Sequence, residues 1–88
     1  MAIQWIKADG TIIECLGVKP TLEWLQDKVG GWIECAYLDD NTLVFNEEGK
    51  LKDLPLNRVA SDVWQAHFGD WDVIVGDAVY ITKPDFLE

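Results

Sequence analysis

The polar residues best suited to binding chemistry lie in one stretch, residues 46–58, which reads NEEGKLKDLPLNR. It holds three of the seven basic residues, and it ends where a helix is predicted to begin. A helix N-terminus offers unpaired N–H groups and partial positive charge, which favour an anionic group such as a phosphate. The predicted ligand-binding residues combine this stretch with one aromatic side chain, and they are Asn46, Glu47, Lys50, Lys52, Asn57, Arg58 and Trp24.

A purely structural role for the same stretch stays open. Asn57 is of a type that caps helices, so its side chain could serve the backbone alone. Arg58 could likewise pair with Asp62 one helical turn away, or with Glu47 or Glu48.

Tryptophan supplies the second candidate feature, since the chain has five among its 88 residues. Tryptophan is enriched at binding hot spots and at base-stacking platforms, although most are expected in the core. Trp24 lies off the apolar face of its predicted helix, which makes it the first candidate for a surface role. Trp71, between two aspartates, is the second.

Catalytic and metal-binding patterns are weak. His67 is the single histidine, and Cys15 and Cys35 lack the close spacing of structural zinc ligands, so no metal and no cofactor are predicted. Ser61 lies six residues before His67, which puts the two on different faces of a helix. We therefore predict that the protein is not an enzyme.

One catalytic arrangement is retained as an alternative. Glu14 and Glu34 could meet on one face of a sheet, as the paired carboxylates of a hydrolase do. Two outward-facing, solvated glutamates are the more common explanation of such a pattern.

Composition favours a small globular domain that spans residues 1–88. Apolar residues make up 49% of the chain, and a core this small leaves apolar surface that a homodimer could cover. The net charge of -9 disfavours direct nucleic-acid binding, but an acidic surface can imitate nucleic acid towards a protein. With no signal peptide and no apolar run of membrane-spanning length, we expect a cytoplasmic location in the host cell and no membrane contact.

The pattern of apolar residues and turn signals predicts an α+β fold, a small antiparallel sheet with two short helices. Asp9-Gly10 is a hairpin signal, Thr21 and Asn57 are N-cap candidates, and Gly30-Gly31 ends the first helix. Strands are predicted at residues 3–7, 11–16, 32–38, 42–46, 72–75 and 78–82, and helices at 22–29 and 58–68. The order is ββαββαβ(β), in which residues 72–75 are the least certain strand.

Several segments together resemble a known family: Leu25-Gln26, Val29-Gly30-Gly31, Ile33-Glu34, NEEGKLKDLPLNRVA at 46–60 and DVIVGDAV at 72–79. They are similar to family 3846 of the domains of unknown function, small proteins of phages, plasmids and their bacterial hosts. The resemblance runs from about residue 22 to 79 and implies no enzyme activity. It implies an accessory protein of mobile elements, a context in which small acidic domains often disable a host defence system.

Three functions follow as hypotheses. The first is a non-catalytic counter-defence protein that captures a small phosphorylated or nucleotide ligand at the predicted site. The second is an acidic inhibitor or DNA mimic that binds a host defence protein, and it depends on the net charge and an acidic C-terminal third. The third is the paired-carboxylate hydrolase. The acidic residues of the C-terminal third are Asp62, Asp70, Asp72, Asp77, Asp85 and Glu88.

Overall fold

The chain folds into one antiparallel sheet with a helix packed on each face. The computed structural model describes residues 1–83. Its elements are β1 (Ala2–Ile6), β2 (Ile12–Glu14), α1 (Leu22–Val29), β3 (Ile33–Leu38), β4 (Asn41–Asn46), α2 (Arg58–Phe68) and β5 (Ala78–Thr82). The predicted α+β class and the order ββαββαβ are confirmed.

The strands follow the order β2-β1-β5-β4-β3 across the sheet, and every neighbouring pair is antiparallel. The last strand, β5, therefore lies in the centre, where Ile3 of β1 pairs with Ile81 and Val44 of β4 pairs with Val79. The two short hairpins, β1–β2 and β3–β4, form the two halves of the sheet and leave β2 and β3 at its edges.

Alternation along the strands divides the core into two layers. On one face, Ile6, Leu43 and Ala78 pack with Ala60 and Trp64 of α2. On the other face, the buried residues of the strands pack with Leu25 and Val29 of α1; they are Ile3, Val44, Val79 and Ile81. Burying each such aliphatic side chain contributes about 1.5–3 kcal/mol.

Both predicted helices begin and end where their capping signals are. The Thr21 hydroxyl accepts a hydrogen bond from the Trp24 N–H at 3.2 Å, and α1 stops at Gly30, whose φ of 81° is left-handed. The Asn57 side chain accepts from the Ala60 N–H at 3.0 Å at the start of α2, which stops at Gly69.

The strand predicted at residues 72–75 is wrong. This segment makes a single isolated bridge, between Leu56 and Val75, and the Asp72 carbonyl and both backbone groups of Ile74 bond to side chains of α2. The Ser61 hydroxyl, for example, donates to the Ile74 carbonyl at 3.1 Å and accepts from the Ile74 N–H at 2.8 Å. Side chains of a neighbouring helix have replaced a sheet partner, so no ladder forms.

Several smaller features bear on the function. Cys15 and Cys35 are free thiols at opposite edges of the sheet. None of the helices among residues 1–83 is long and apolar enough to cross a membrane. Asp85 and Glu88, which belong to the predicted acidic surface, lie outside the described residues.

Candidate functional site

The loop that follows β4 is held in place by Asn46. Its side-chain amide donates to the Val29 carbonyl at the end of α1 at 3.1 Å, and its carbonyl oxygen accepts from the Glu48 N–H at 2.8 Å. The loop then passes so close to residues 73–75 that a Cβ on Gly49 would lie 2.9 Å from the Val75 side chain. Position 49 therefore requires glycine because there is no room for a side chain, and not because of its φ angle.

The segment on the opposite side, residues 71–75, is fixed by α2. The Gln65 amide donates to the Asp72 carbonyl at 2.8 Å, in addition to the two bonds between Ser61 and Ile74. The Trp71 indole N–H donates to the Phe68 carbonyl at 2.9 Å. These bonds set the direction of Trp71 and Asp72 without help from a sheet.

Between the loop and this segment lies a cleft of about 240 Å³, which we call the acidic cleft. Its floor is formed by the cross-strand pair Glu34 and Phe45, on the α2 side of the sheet. The residues that line it are Glu34, Phe45, Asn46, Glu47, Gly49, Lys50, Leu51, Trp64, Trp71, Asp72, Val73, Ile74 and Val75.

The charges around the acidic cleft are unbalanced. Glu34, Glu47 and Asp72 supply three carboxylates, whereas Lys50 is the only basic residue in the lining. Lys50 forms an ion pair with Asp72 across the cleft. Together with a hydrogen bond from the Val73 N–H, this pairing lowers the pKa of Asp72 below its usual value. The cleft thus carries excess negative charge even with its lysine in place.

Aromatic rings form one wall of the cleft. Trp64 is buried, and Trp71 packs edge-on against it with ring centroids 4.8 Å apart. Trp71 nevertheless keeps 73% of its surface exposed, so most of the indole is open to a ligand. Indole faces attract cations, and carboxylates close to an indole strengthen that attraction.

Two of the predicted ligand-binding residues are structural. Asn57 has no exposed surface, and its amide donates to the carbonyls of Ile6 and Gly76 at 2.8 and 2.9 Å while its oxygen caps α2. Asn46 is 4% exposed and is similarly committed to backbone groups. Because the polar atoms of both side chains already bond to the backbone, the prediction that they contact a ligand is corrected.

The other predicted residues are not brought together. Glu47 and Lys50 line the acidic cleft, but Lys52 lies against Gly31 beside the end of α1. Arg58 is exposed at the start of α2 and forms no ion pair with the acidic residues described. The three basic residues that are close in sequence therefore do not line one pocket.

Trp24 is also separate from the cleft, since α1 lies on the other face of the sheet. It is half-buried against the core, and the Lys28 ammonium lies 5.5 Å from its ring centroid. Trp71, the second aromatic candidate, is the one that lines the cleft.

The geometry does not support the paired-carboxylate arrangement. Glu14 lies in β2 and Glu34 lies in β3, and these are the two edge strands of the sheet. Four strand spacings of about 4.8 Å put them roughly 19 Å apart, whereas glycosidase carboxylates lie within about 10 Å. Ser61 is buried and bonded to Ile74, far along α2 from His67, which faces Asp39 at 3.8 Å. Within residues 1–83, no three acidic, histidine or cysteine side chains are arranged to hold a metal ion.

The acidic cleft has no local sequence pattern because its residues come from four separate segments. Phe45, Trp64 and Asp72 carry no local signal of binding. Two signals were available, the exposed Trp71 between aspartates and the glycine at position 49, which marks a close approach of two backbone segments.

Comparison with known proteins identifies a family for this chain but no individual curated protein or solved structure that matches it. A family model, described as a domain of unknown function, matches residues 4–86, and this includes the loop and the segment that form the acidic cleft. The chain therefore belongs to the family Domain of unknown function (DUF3846).

Proposed function

We propose that this protein is a non-catalytic binding protein whose acidic cleft receives a cationic side chain, arginine or lysine, from a basic partner protein. The single observation behind the proposal is that three carboxylates and an exposed indole converge on one cleft whose only lysine is already paired. This is a form of the acidic-inhibitor hypothesis in which the carboxylates of the acidic cleft make the contact with the partner.

The Lys50–Asp72 ion pair supports the choice of ligand. Lys50 is a cation of the protein itself that already occupies part of the cleft. Its side chain is more than half exposed to solvent. A guanidinium from a partner could replace it, because arginine can bond to a carboxylate with two parallel hydrogen bonds and also stack on an indole. Lys50 would then turn to solvent at little cost, since exposed ion pairs contribute about 0–1 kcal/mol.

Capture of a phosphorylated ligand has less support. A phosphate in the acidic cleft would face Glu34, Glu47 and Asp72 with one lysine to offset them. A nucleotide could still stack its base on Trp71, so it is the competing ligand that an experiment must include.

The net charge of -9 supports a protein as the source of the cation. Such a charge raises the rate of encounter with a basic surface, including the surfaces that bind nucleic acid. If the mobile-element context of the family holds for this chain, a nucleic-acid-binding defence protein of the host is the partner that fits this chemistry.

The test is a titration of Trp71 fluorescence with short peptides that contain arginine, lysine or norleucine at one position. Trp64 and the other indoles also emit, so Trp71→Phe is measured in parallel to isolate the Trp71 signal. We expect binding of the arginine and lysine peptides, and a loss of about tenfold in affinity for Glu34→Gln/Glu47→Gln.

Asp62→Asn/Asp70→Asn is the matched control, because it removes the same charge from exposed positions outside the cleft lining. It should weaken binding less than twofold. Equal loss in both double variants would show that net charge and not the cleft is responsible. Binding of nucleotides in preference to the basic peptides would contradict the proposal.

A further inference from the structure

A second feature lies on the α1 side of the sheet, away from the acidic cleft. An apolar groove of about 410 Å³ runs between the start of α1 and strands β3 and β4. Leu22, Ile33 and Cys35 line it, and Lys19 is the only charged residue in the lining. The net charge of the chain is -9, yet none of the acidic residues within residues 1–83 lines this groove.

The groove ends at the open edge of β3. The Glu47 N–H donates to the Trp32 carbonyl at 2.9 Å, just before the strand begins. In an antiparallel ladder, residues whose backbone groups bond to the partner strand alternate with residues whose groups point away from it. Because Trp32 bonds to the β4 side, the backbone groups of Ile33, Cys35 and Tyr37 point away from β4. No strand within residues 1–83 pairs with them.

Nothing in the strand itself protects this edge. Its pairing with β4 is regular from Ile33 to Leu38, without a bulge, and it contains no proline and no lysine. Its one charged residue, Glu34, faces the opposite side of the sheet. Natural edge strands usually carry such protection because an open edge pairs with other strands.

We propose that a second copy of this chain occupies the edge, with β3 pairing antiparallel to β3 about a two-fold axis at Cys35. Ile33 of each copy then lies opposite Tyr37 of the other, and the two five-stranded sheets become one sheet of ten strands. This two-fold register aligns all three residues whose backbone groups are free, and it places the grooves of the two copies side by side.

Charge complementarity supports this occupant. In this register the acidic turn Asp39-Asp40 of one copy lies beside Gly31 of the other. The Lys52 ammonium is there, 3.2 Å from the position that a Cβ on Gly31 would take. The only acidic turn at the end of the hairpin is thus brought to a lysine and not to another carboxylate.

Large side chains beside the β3 edge expose apolar surface that a dimer interface could bury. Tyr37 is 60% exposed, Trp32 is 64% exposed and Leu22 is 57% exposed, all beside the edge or groove. The two aromatic side chains alone expose roughly 250 Å², taking about 200 Å² for each full side chain. The strand backbone and the groove add to this area, of which a standard interface buries roughly 800 Å² per partner.

The first test is sedimentation of the full chain over roughly 5–500 µM, a range that covers moderate dimer affinities. We expect a reversible dimer. Tyr37→Lys should weaken it by at least about tenfold, since each copy would then bury a lysine opposite Ile33 of the other copy. Ile12→Lys, which changes an exposed apolar residue on the other edge strand, is the matched control and should leave the dimer intact. A wild-type chain that stays monomeric overturns the proposal, as does equal weakening by both variants.

A second measurement locates the interface. Protection of the Ile33, Cys35 and Tyr37 amides from hydrogen exchange should rise with protein concentration. In a Cys15→Ser background, a short bismaleimide should join Cys35 to Cys35 of the second copy. A dimer without either result has its interface elsewhere. Protection of the same amides in a monomer would mean that the chain covers its own edge. Both results overturn the proposal.

Discussion

Each face of the sheet is covered by one helix, but the surface beside the helix is acidic on one face and apolar on the other. On the α2 face, a long loop and residues 71–75 extend beyond the helix and bring carboxylates and an indole together. On the α1 face, the short helix leaves part of β3 and β4 uncovered, and what remains open is apolar. Each helix covers its core layer, so the difference lies in what the connecting segments add beside it.

The way the two faces are held also differs. The α2 face depends on two buried polar side chains, Asn57 and Ser61, that donate hydrogen bonds to backbone carbonyls of β1 and of the segment before β5. The α1 face depends mainly on apolar contacts, with an exposed cap at Thr21 and hydrogen bonds from Trp5 and Asn46 to the last carbonyls of α1. The buried cap Asn57 should therefore tolerate substitution much less than the exposed cap Thr21.

Asn57→Ala provides the largest test of this difference. It removes three hydrogen bonds of a fully buried side chain, two of them donated to the carbonyls of Ile6 and Gly76, so we expect a loss of about 2–4 kcal/mol in the free energy of unfolding. Thr21→Ala, the equivalent cap of α1, should cost about 1 kcal/mol or less. Urea denaturation measures both, and equal losses would contradict the comparison.

Gly49→Ala tests the packing of the loop against the segment that closes the acidic cleft. The new methyl group would meet the Val75 side chain at 2.9 Å, which is expected to cost about 1–3 kcal/mol. The double variant Gly49→Ala/Val75→Ala should recover part of that loss, because it removes the atoms that clash. If the double variant is less stable than the sum of the single variants, the strain has another source.

Salt should act on the two faces in opposite directions. Binding of a basic peptide to the acidic cleft should weaken by about three- to tenfold between 50 and 500 mM salt, because screening reduces the attraction. The proposed dimer should strengthen over the same range, because screening reduces repulsion between two acidic chains. Fluorescence titration and sedimentation at matched salt concentrations measure the two effects. The same sign for both would mean that one of the two surfaces has been assigned the wrong chemistry.

Acid titration of Asp72 gives the smallest effect. The Lys50 ammonium and the Val73 N–H lower the pKa of Asp72 in the folded chain. The ionised Asp72 therefore stabilises the fold at pH values above its unfolded pKa of about 3.9. This stabilisation is lost as the pH falls through the lower pKa of the folded chain. Lys50→Met should raise the pKa of Asp72 and change the free energy of unfolding by well under about 1 kcal/mol, since the pair is partly exposed. NMR titration of the carboxyl carbon measures the shift, and an unchanged pKa would show that Lys50 is not its main cause.

Local signals explain which parts of the fold were predicted correctly. Both helices have apolar residues at helical spacing between a capping side chain and a glycine, and both were predicted with the bounds that the structure has. Residues 72–75 have the apolar, β-branched composition of a strand, yet they lie where Ser61 and Gln65 of α2 satisfy their backbone groups. The strand propensity of a segment does not predict that helix side chains will bond to its backbone in place of a neighbouring strand.

The candidate site was harder to predict for a related reason. Proximity in the sequence suggested that Lys50, Lys52 and Arg58 form one cluster, but the loop turns at Gly49 and again at Asp53, whose φ is 56°. Asn57 was recognised as a cap or a ligand contact, and only its burial decides between the two. The exposure of Trp71 was anticipated from its aspartate neighbours, whereas its contact with Trp64 was not.

The sequence by itself determined the elements, their order, the family and the net negative charge, because periodicity, caps, turns and composition are local or additive properties. Only the tertiary structure decided which charges meet. Strand order separates Glu14 from Glu34 by the width of the sheet, and the loop after β4 brings Glu34, Glu47 and Asp72 to one cleft. Electrostatic interactions depend on distance and burial, and those are fixed by long-range packing.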